Sequence, residues 1–295
     1  MTIKKIFFFI TMVAIYLLSA EKASAITIYP AIFEFNTSQN QPLADQMQIF
    51  NESDGTLTFA ADIENFIPRG ETGEQTYLSG NYGLASWISL SEKEITLAPK
   101  EKKYVSFKIN LPPNAAPGSY SAGILWREKN DGQGGITITN RLGALALLSV
   151  AGETKTKAVI AEFSVPKSFF ETLPVEFTAR VANEGNALLK PSGEIVVKNI
   201  FGKTVAALEI NSAGNALLPN SIRKWSAKWE NKIIAVGPYS ASLRVKYGAK
   251  NEIKSEIKFW VLPWKSAALI LLGIIALIIF WKKTFGKIKK RISRI

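Results

Sequence analysis

Residues 117–126, PGSYSAGILW, have an echo at residues 236–245, VGPYSASLRV. Each stretch places a Gly/Pro turn before Tyr-Ser-Ala and then alternates apolar side chains, which is the pattern of a half-buried β-strand. Tyr120 and Tyr239 begin the two alternations in the same register. The two stretches are therefore predicted to be equivalent turn-and-strand elements in two copies of one domain.

Two further landmarks accompany the echo in the same order. In each copy an Asn-Glu turn comes first, a Leu-x-Pro sequence follows, and Tyr-Ser-Ala comes last. The separation between copies falls from 132 residues at the Asn-Glu turns to 120 at Leu-x-Pro, so the first copy holds about 12 additional residues. This pattern predicts an internal duplication with an insert in the first copy. The landmarks are Asn51-Glu52 and Asn183-Glu184, then 97–99 and 217–219.

The region between the two ends of the chain has the pattern of an all-β protein. Short alternating or β-branched runs are separated by turn clusters rich in Asn, Asp, Gly and Ser, and no sustained helical periodicity interrupts them. Together with the duplication, this predicts two tandem immunoglobulin-like β-sandwich domains, at residues 26–152 and 153–262. The predicted strands are 46–50, 57–63, 104–111, 135–139, 174–181, 193–200 and 241–247.

The two ends carry targeting signals. Residues 1–25 have basic residues, a short apolar run and an Ala-x-Ala site, which predicts a cleaved signal peptide. Residues 263–281 are predicted to form a single transmembrane α-helix, and 282–295 a basic cytoplasmic tail. The expected localisation is a single-pass protein of the cell membrane with an external N-terminal part. The residues expected at the membrane interface are Trp260, Trp264, Lys265, Trp281, Lys282 and Lys283.

Composition argues against an enzyme. The chain has no cysteine and no histidine, which removes the thiolate nucleophile, the usual general base and the common zinc ligands. We therefore expect no catalytic residue, no metal and no cofactor. The net charge of +12 resides mainly in the two ends, and residues 265–295 alone contain eight Lys or Arg and no acid. A folded domain that binds nucleic acid carries its basic residues on its own surface, so no nucleic-acid partner is expected.

The insert at residues 66–87 (FIPRGETGEQTYLSGNYGLASW) is the predicted ligand site. It has no clear strand alternation, and long loops on compact domains are often functional. Its rings could stack on sugars, and its polar side chains could bind a glycan or a peptide. A structural alternative is that the insert's last residue begins the next strand and belongs to the core. The candidate residues are Arg69, Glu71, Glu74, Gln75, Tyr77, Asn81, Tyr82 and Trp87.

Tyr120 and Tyr239 have a structural interpretation. A tyrosine that follows a turn at the start of a sandwich strand can place its ring in the core and donate its hydroxyl proton to nearby backbone. The repeated Tyr-Ser-Ala stretches are therefore expected to serve the architecture, while the insert is expected to serve function.

The order of segments resembles that of the WxL-interacting proteins of bacterial cell surfaces. That family has a signal peptide, two immunoglobulin-like domains, one membrane span and a short basic tail, and the resemblance extends over nearly the whole chain. Its elements in the first domain are Asn51-Glu52-Ser53, Gly70 to Tyr77, Leu97-x-Pro99, Pro112 and Pro117-Gly118-x-Tyr120. In the second domain they are Asn183-Glu184-Gly185, Leu218-Pro219-Asn220-Ser221 and Gly237-Pro238-Tyr239.

The resemblance implies a division of labour between the domains. The first would bind cell-wall peptidoglycan, and the second would dock a secreted surface protein, so that the chain tethers its ligand to the envelope. Two other functions are compatible with the sequence. One is an assembly chaperone or adhesin-like stalk that uses pairing at a strand edge. The other is an accessory subunit of a membrane complex that acts through the predicted span.

Overall fold

A computed structural model describes residues 26–37, 43–129, 141–230, 235–248 and 250–292. The chain divides into two compact units. The first takes in the chain up to Ile67 together with Gln75–Glu153, and the second takes in Pro68–Glu74 together with the chain from Thr154 onward. The predicted signal peptide at 1–25 and the predicted strand at 135–139 lie outside the described residues.

The first unit is a sandwich of two sheets. One sheet has the strand order β1-β3-β8-β6, and the other has the order β2-β10-β9-β4-β5, with β7 beside β4. All pairs described are antiparallel except β2 with β10. The elements are β1 Ile26–Tyr29, β2 Ile32–Thr37, β3 Leu43–Asn51, β4 Leu57–Arg69, β5 Glu74–Leu78, α1 Gly83–Trp87, β6 Ile88–Leu90, β7 Glu94–Leu97, β8 Lys102–Ile109, β9 Gly118–Glu128 and β10 Arg141–Val150.

The second unit is also a two-sheet sandwich. Its smaller sheet has the order β11-β13-β16, and its larger sheet has the order β12-β18-β17-β14-β15. A helix, α2, follows the last strand. The elements are β11 Ala158–Ser164, β12 Phe169–Phe170, β13 Val175–Asn183, β14 Ser192–Asn199, β15 Thr204–Ile210, β16 Ser221–Trp229, β17 Gly237–Tyr247, β18 Asn251–Val261 and α2 Trp264–Ile292.

Alternating strand residues fill the two cores. In the first unit Trp126 is fully buried, and its indole Nε1 donates to the sulfur of Met47 at 3.4 Å. In the second unit Phe177, Trp229 and Phe259 form a cluster of edge-to-face rings with centroids about 6 Å apart. Each core closes over one face of each sheet, which leaves the outer faces, the strand edges and the turns for contacts with other molecules.

The Asn-Glu and Leu-x-Pro landmarks of the repeat contact each other. The side-chain amide of Asn51 donates to the carbonyl oxygens of Gly55 at 2.8 Å and Leu97 at 3.2 Å, and its Oδ1 accepts from the Ser53 amide. Both side chains, Asn51 and its counterpart Asn183, are almost completely buried. Buried amides must be hydrogen-bonded, so each asparagine fixes its turn against a loop that comes much later in the sequence.

The all-β part of the predicted fold class agrees with the structure, but the predicted transmembrane helix does not. Within the described part of the chain, no helix is long and apolar enough to cross a membrane. The physical reason is length: the uncharged run between Lys265 and Lys282 holds 16 residues, fewer than the roughly 20 of a span. The predicted transmembrane helix at 263–281 is therefore wrong. Helix α2 continues through the basic residues to Ile292, and the cytoplasmic tail at 282–295 stays a prediction.

The insert at 66–87 is more regular than its sequence indicates. Strand β4 continues to Arg69, β5 pairs with it after a turn, and a short helix, α1, ends the segment. Gly70 and Gly73 make the turn with φ values of 62° and 96°, which residues with a side chain adopt with strain. The strand was not recognisable in the sequence because its alternation is confined to the five residues of β5.

Candidate functional site

Tyr77 packs on the outer face of the first unit's sheet. Its ring lies 6.0 Å from that of Phe66 and directly over Gly123, and the guanidinium of Arg141 lies 5.7 Å above it. Arg141 also pairs with Glu64 at 3.1 Å. Burial raises the pKa of the Tyr77 hydroxyl. The predicted stacking residue is thus already engaged by a cation and by its own sheet.

Trp87, the last residue of the insert, packs against the core, as the structural alternative predicted. It is the last residue of α1, its ring lies 4.8 Å from that of Tyr120, and it packs against the core of the first unit. Its carbonyl oxygen accepts from the Asn110 amide at 2.8 Å. The Tyr120 hydroxyl donates to the carbonyl oxygen of Ala116 at 2.8 Å, as expected for a structural tyrosine.

Asn81 and Tyr82 are the exposed members of the predicted site. Half of Tyr82 is exposed, and its carbonyl oxygen accepts from the side-chain amide of Asn65 at 2.7 Å. The Oδ1 of the same buried asparagine accepts from the Ala85 amide at 3.0 Å. Asn65, which the sequence did not single out, therefore fixes the backbone on which these two side chains are presented.

The remaining four predicted residues lie around the β4–β5 turn. Arg69 and Glu74 form an exposed ion pair at 3.8 Å, and Gln75 is half-buried on β5. Arg69, Glu71 and Glu74 belong to the second unit, whereas Gln75 belongs to the first. The eight candidate residues are thus divided between the two compact units.

Glu71 is held by the second unit's smaller sheet. Its carboxylate accepts a hydrogen bond from the Nε of Arg180 at 2.7 Å and another from the same guanidinium. Arg180 also pairs with Glu162 at 3.1 Å. The hydrogen bond from Arg180 is the main cause that lowers the pKa of Glu71.

The same segment pairs with the backbone of β16. The amide of Lys224 donates to the carbonyl oxygen of Glu71 at 2.9 Å. Beside it, Gly73 has a φ of 96°, which a residue with a side chain adopts only with strain, and a Cβ there would displace the guanidinium of Arg223. Arg223 is half-buried and donates to the carbonyl oxygen of Ala216 at 2.7 Å. The segment Pro68–Glu74 is therefore seated on a basic strand by both backbone and side-chain contacts.

Strand β16 is an edge strand whose outer side is largely open. It pairs with β13 on one side, and among the described strands none pairs with it on the other. Alternate residues of an antiparallel edge strand direct their amide and carbonyl groups outward. The outward bond of Lys224 fixes this parity, so Ser226 and Lys228 also direct their backbone groups toward the open side. Sequence analysis missed this edge because pairing partners are not encoded in strand periodicity.

The residues predicted at a membrane interface lie at the end of the second unit and in α2. Trp260 stacks on Phe169 with ring centroids 6.2 Å apart. Lys265 pairs with Glu171 at 2.8 Å, and its ammonium lies 5.8 Å from the ring of Trp264. Trp281 is exposed on α2, and Lys282 and Lys283 follow in the same helix, with side chains outside the described set.

In the described part of the chain, no three carboxylates or other ligating side chains come together as they would around a metal ion. The carboxylates described above are engaged by Arg or Lys partners. What the geometry offers instead is backbone pairing at a strand edge.

Comparison with known proteins identifies no family. No protein-family model matches the chain, and no curated protein matches it. The resemblance to WxL-interacting proteins therefore stays a prediction.

Several solved structures match the chain at a low level of structural similarity. The class 5 fimbriae chaperone CfaA matches with a TM-score of 0.43 and 10% identity, over 81% of this chain and 100% of that one. A chain of a chaperone–tip adhesin complex of CFA/I fimbriae biogenesis matches with 0.42 and 11%, at the same coverage. A chain of the CsuC–CsuE chaperone–tip adhesion subunit complex of Acinetobacter baumannii matches with 0.37 and 11%, over 68% and 90%. Similarity at this level transfers no function.

Proposed function

We propose that this protein is a binding protein whose second unit captures an extended segment of another polypeptide by adding it as a strand to the open edge of β16. The observation that supports this most directly is the hydrogen bond from the Lys224 amide to the carbonyl oxygen of Glu71. It supports the proposal because a backbone group from outside the sheet already bonds to the outer side of β16. Strand addition at an exposed edge is a recurrent mode of peptide recognition.

The chemistry around this edge favours a partner with acidic side chains. Arg180 binds the carboxylate of Glu71, and Lys224 contributes a further positive charge that lowers the pKa of the same carboxyl. An acidic strand placed along Ser226 and Lys228 would continue the arrangement that the segment Pro68–Glu74 begins. Backbone hydrogen bonds would supply affinity, and the basic side chains would favour a negatively charged partner.

Among the functions that the sequence left open, this proposal corresponds to the chaperone or adhesin-like protein that uses strand-edge pairing. Binding of wall polymer by residues 66–87 stays a prediction. The signal peptide predicted at 1–25 motivates placing the activity outside the cytoplasm. The accessory-subunit alternative depended on a membrane span and is withdrawn with it.

Fluorescence anisotropy with the full chain tests the proposal. The probes are a labelled nine-residue peptide that alternates Val and Glu and the same peptide N-methylated at alternate residues. We expect the unmodified peptide to bind and N-methylation to weaken binding about tenfold or more, because several backbone donors are lost. Equal binding of the two probes would contradict strand addition.

Two charge reversals make the test specific. Lys224→Glu should weaken binding of the acidic peptide about fivefold, the size of an exposed charge contact. Lys254→Glu changes the net charge equally, but Lys254 lies on β18 in the other sheet and pairs with Glu252 at 2.9 Å. This control should leave the affinity unchanged. If both variants weakened binding to the same extent, the effect would be one of net charge, and the assignment to β16 would fail.

A further inference from the structure

The end of the second unit from which α2 departs carries an apolar surface assembled from several strands. In the larger sheet, Trp260 is in register with Phe169 on one side and Pro238 on the other. Asn199 is in register with Tyr239, and Ile200 begins the turn that follows β14 at the same end. Three strands thus place apolar side chains in register across the end of the sheet, and the turn after β14 adds Ile200 beside them.

Most of these side chains are exposed. We call this set the apolar end; seven of its members have exposed fractions of 43–89%. A cluster of exposed large apolar residues is unusual for a surface in contact only with water, and it marks an interaction site. Its residues are Phe169, Ile200, Phe201, Val236, Trp260, Leu262 and Trp264, with half-buried Pro238 between them.

The turn that presents Phe201 is firmly built. The Oδ1 of Asn199 accepts from the amides of Phe201 at 3.1 Å and Lys203 at 3.0 Å. The Asn199 amide in turn donates to the carbonyl oxygen of Lys203 at 3.0 Å, and Gly202 has a φ of 74°. Phe201 is 89% exposed on this braced turn. Its exposure is therefore a consequence of the turn's geometry and is not the result of a loose chain.

A row of lysines lies directly behind the apolar end. Ser240 is in register with Lys198 on one side and with Lys258 on the other. Lys258 precedes Trp260 by two positions on β18, so these two side chains share a face of the sheet. Lys198 lies near the end of β14, two positions before Ile200. The acid described at this end, Glu171, is paired with Lys265. The sheet therefore ends in an apolar row backed by cations.

We infer that the apolar end docks on the surface of a lipid bilayer that contains anionic headgroups. Aromatic and aliphatic side chains would enter the boundary between headgroups and acyl chains, while Lys198 and Lys258 would reach the headgroup phosphates. Such docking takes place from one side of the bilayer and requires no spanning segment. A protein partner would bring its own acidic groups to neutralise the lysines, whereas a lipid surface supplies both the apolar layer and the negative charge in the observed order.

The absence of cysteine allows a test by site-specific labelling. The full chain carries an environment-sensitive fluorophore at a single introduced cysteine, at Phe201→Cys in one variant and at Ser212→Cys in the control. Ser212 follows β15 at the opposite end of the sheet, beyond the pairing of Ile210 with Gly193, and is exposed. Vesicles are made of phosphatidylcholine alone or with phosphatidylglycerol added.

The expected result is a blue shift and an increase in emission at position 201, larger with phosphatidylglycerol, and no change at position 212. Lys198→Glu should weaken binding to the anionic vesicles about fivefold, and Lys254→Glu should not. If the labelled chain binds vesicles while position 201 keeps the emission of position 212, the apolar end faces water or a protein and the inference is overturned. Absence of vesicle binding would overturn it as well.

Discussion

The side-chain amide of Asn183 donates a hydrogen bond to the carbonyl oxygen of Leu217 at 3.1 Å, across 34 residues of sequence. It also donates to the carbonyl oxygen of Ala187 at 2.8 Å and accepts from the Gly185 amide at 3.0 Å. Asn51 makes the same contact with Leu97 in the first unit. Two of the landmarks that reveal the duplication are thus partners in one buried polar network, which explains why they recur together.

The buried amide should be important for stability. Asn183→Ala leaves two carbonyl oxygens and one amide in the turn without their partner, and we expect it to lower the free energy of unfolding by about 2–3 kcal/mol. Asn81→Ala removes the same groups from an exposed position and should change it by no more than about 0.5 kcal/mol. Urea unfolding of the two variants measures the difference. Similar values for both would show that the network contributes little.

Contact between Tyr77 and Gly123 predicts a steric effect. A Cβ on Gly123 would lie 2.5 Å from Cε1 of Tyr77 and 3.3 Å from Leu125, so Gly123→Ala should destabilise the protein by about 1–3 kcal/mol. Gly55→Ala meets no atom within 4 Å and should be nearly neutral, within about 0.5 kcal/mol. Thermal unfolding provides the comparison. In a Tyr77→Ser background the cost of Gly123→Ala should largely disappear, and its persistence would refute the contact.

The ion pair between Glu71 and Arg180 predicts that the stability of the folded protein depends on pH. The pKa of Glu71 is lowered in the folded protein, so the folded state gains stability above the ordinary value of 4.5 and loses it as the pH falls through the folded pKa. Arg180→Met should remove this gain. The two proteins should therefore differ in urea midpoint at pH 7, and the difference should shrink as the pH is lowered below about 4. A difference that is the same at both pH values would argue against the ion pair.

The hydroxyl groups of the two repeated tyrosines should contribute different amounts to the free energy of unfolding. Tyr120 donates to Ala116 at 2.8 Å, whereas Tyr239 donates to Val236 at 3.4 Å, near the limit of a hydrogen bond. Tyr120→Phe should cost about 1 kcal/mol of stability, and Tyr239→Phe about 0–0.5 kcal/mol. Each Phe variant keeps the ring in the core and serves as the control for the other. The reverse order of costs would contradict this assignment.

Much of the fold was accessible from the sequence because it depends on local patterns. The alternation around Tyr120 and Tyr239 predicted strands that the structure shows as β9 and β17, each paired with the last strand of its unit. The insert was harder to interpret. Its short strand β5 is stabilised by pairing with β4, and such pairing is not visible in five residues of sequence.

The candidate ligand site could not be predicted from the sequence in the same way. The site was predicted from polar and aromatic residues that are close together in the sequence. In the folded protein these residues contact different sheets. Tyr77 is directed onto Gly123, and Glu71 is bound by Arg180, which lies 109 residues away in sequence. Proximity along the chain determines neither the partner nor the face of a side chain once strands pair over such distances.

The sequence by itself determined the strands, the turns, the duplicated order of landmarks and the lack of cysteine and histidine chemistry, because each of these depends on residue type and short-range periodicity. Only the tertiary structure decided that β16 has an open outer side and that Phe169, Trp260 and Pro238 lie in register across the end of one sheet. The physical reason is that register between distant strands is set by packing of the whole core, and register fixes which edges stay open and which exposed side chains become neighbours.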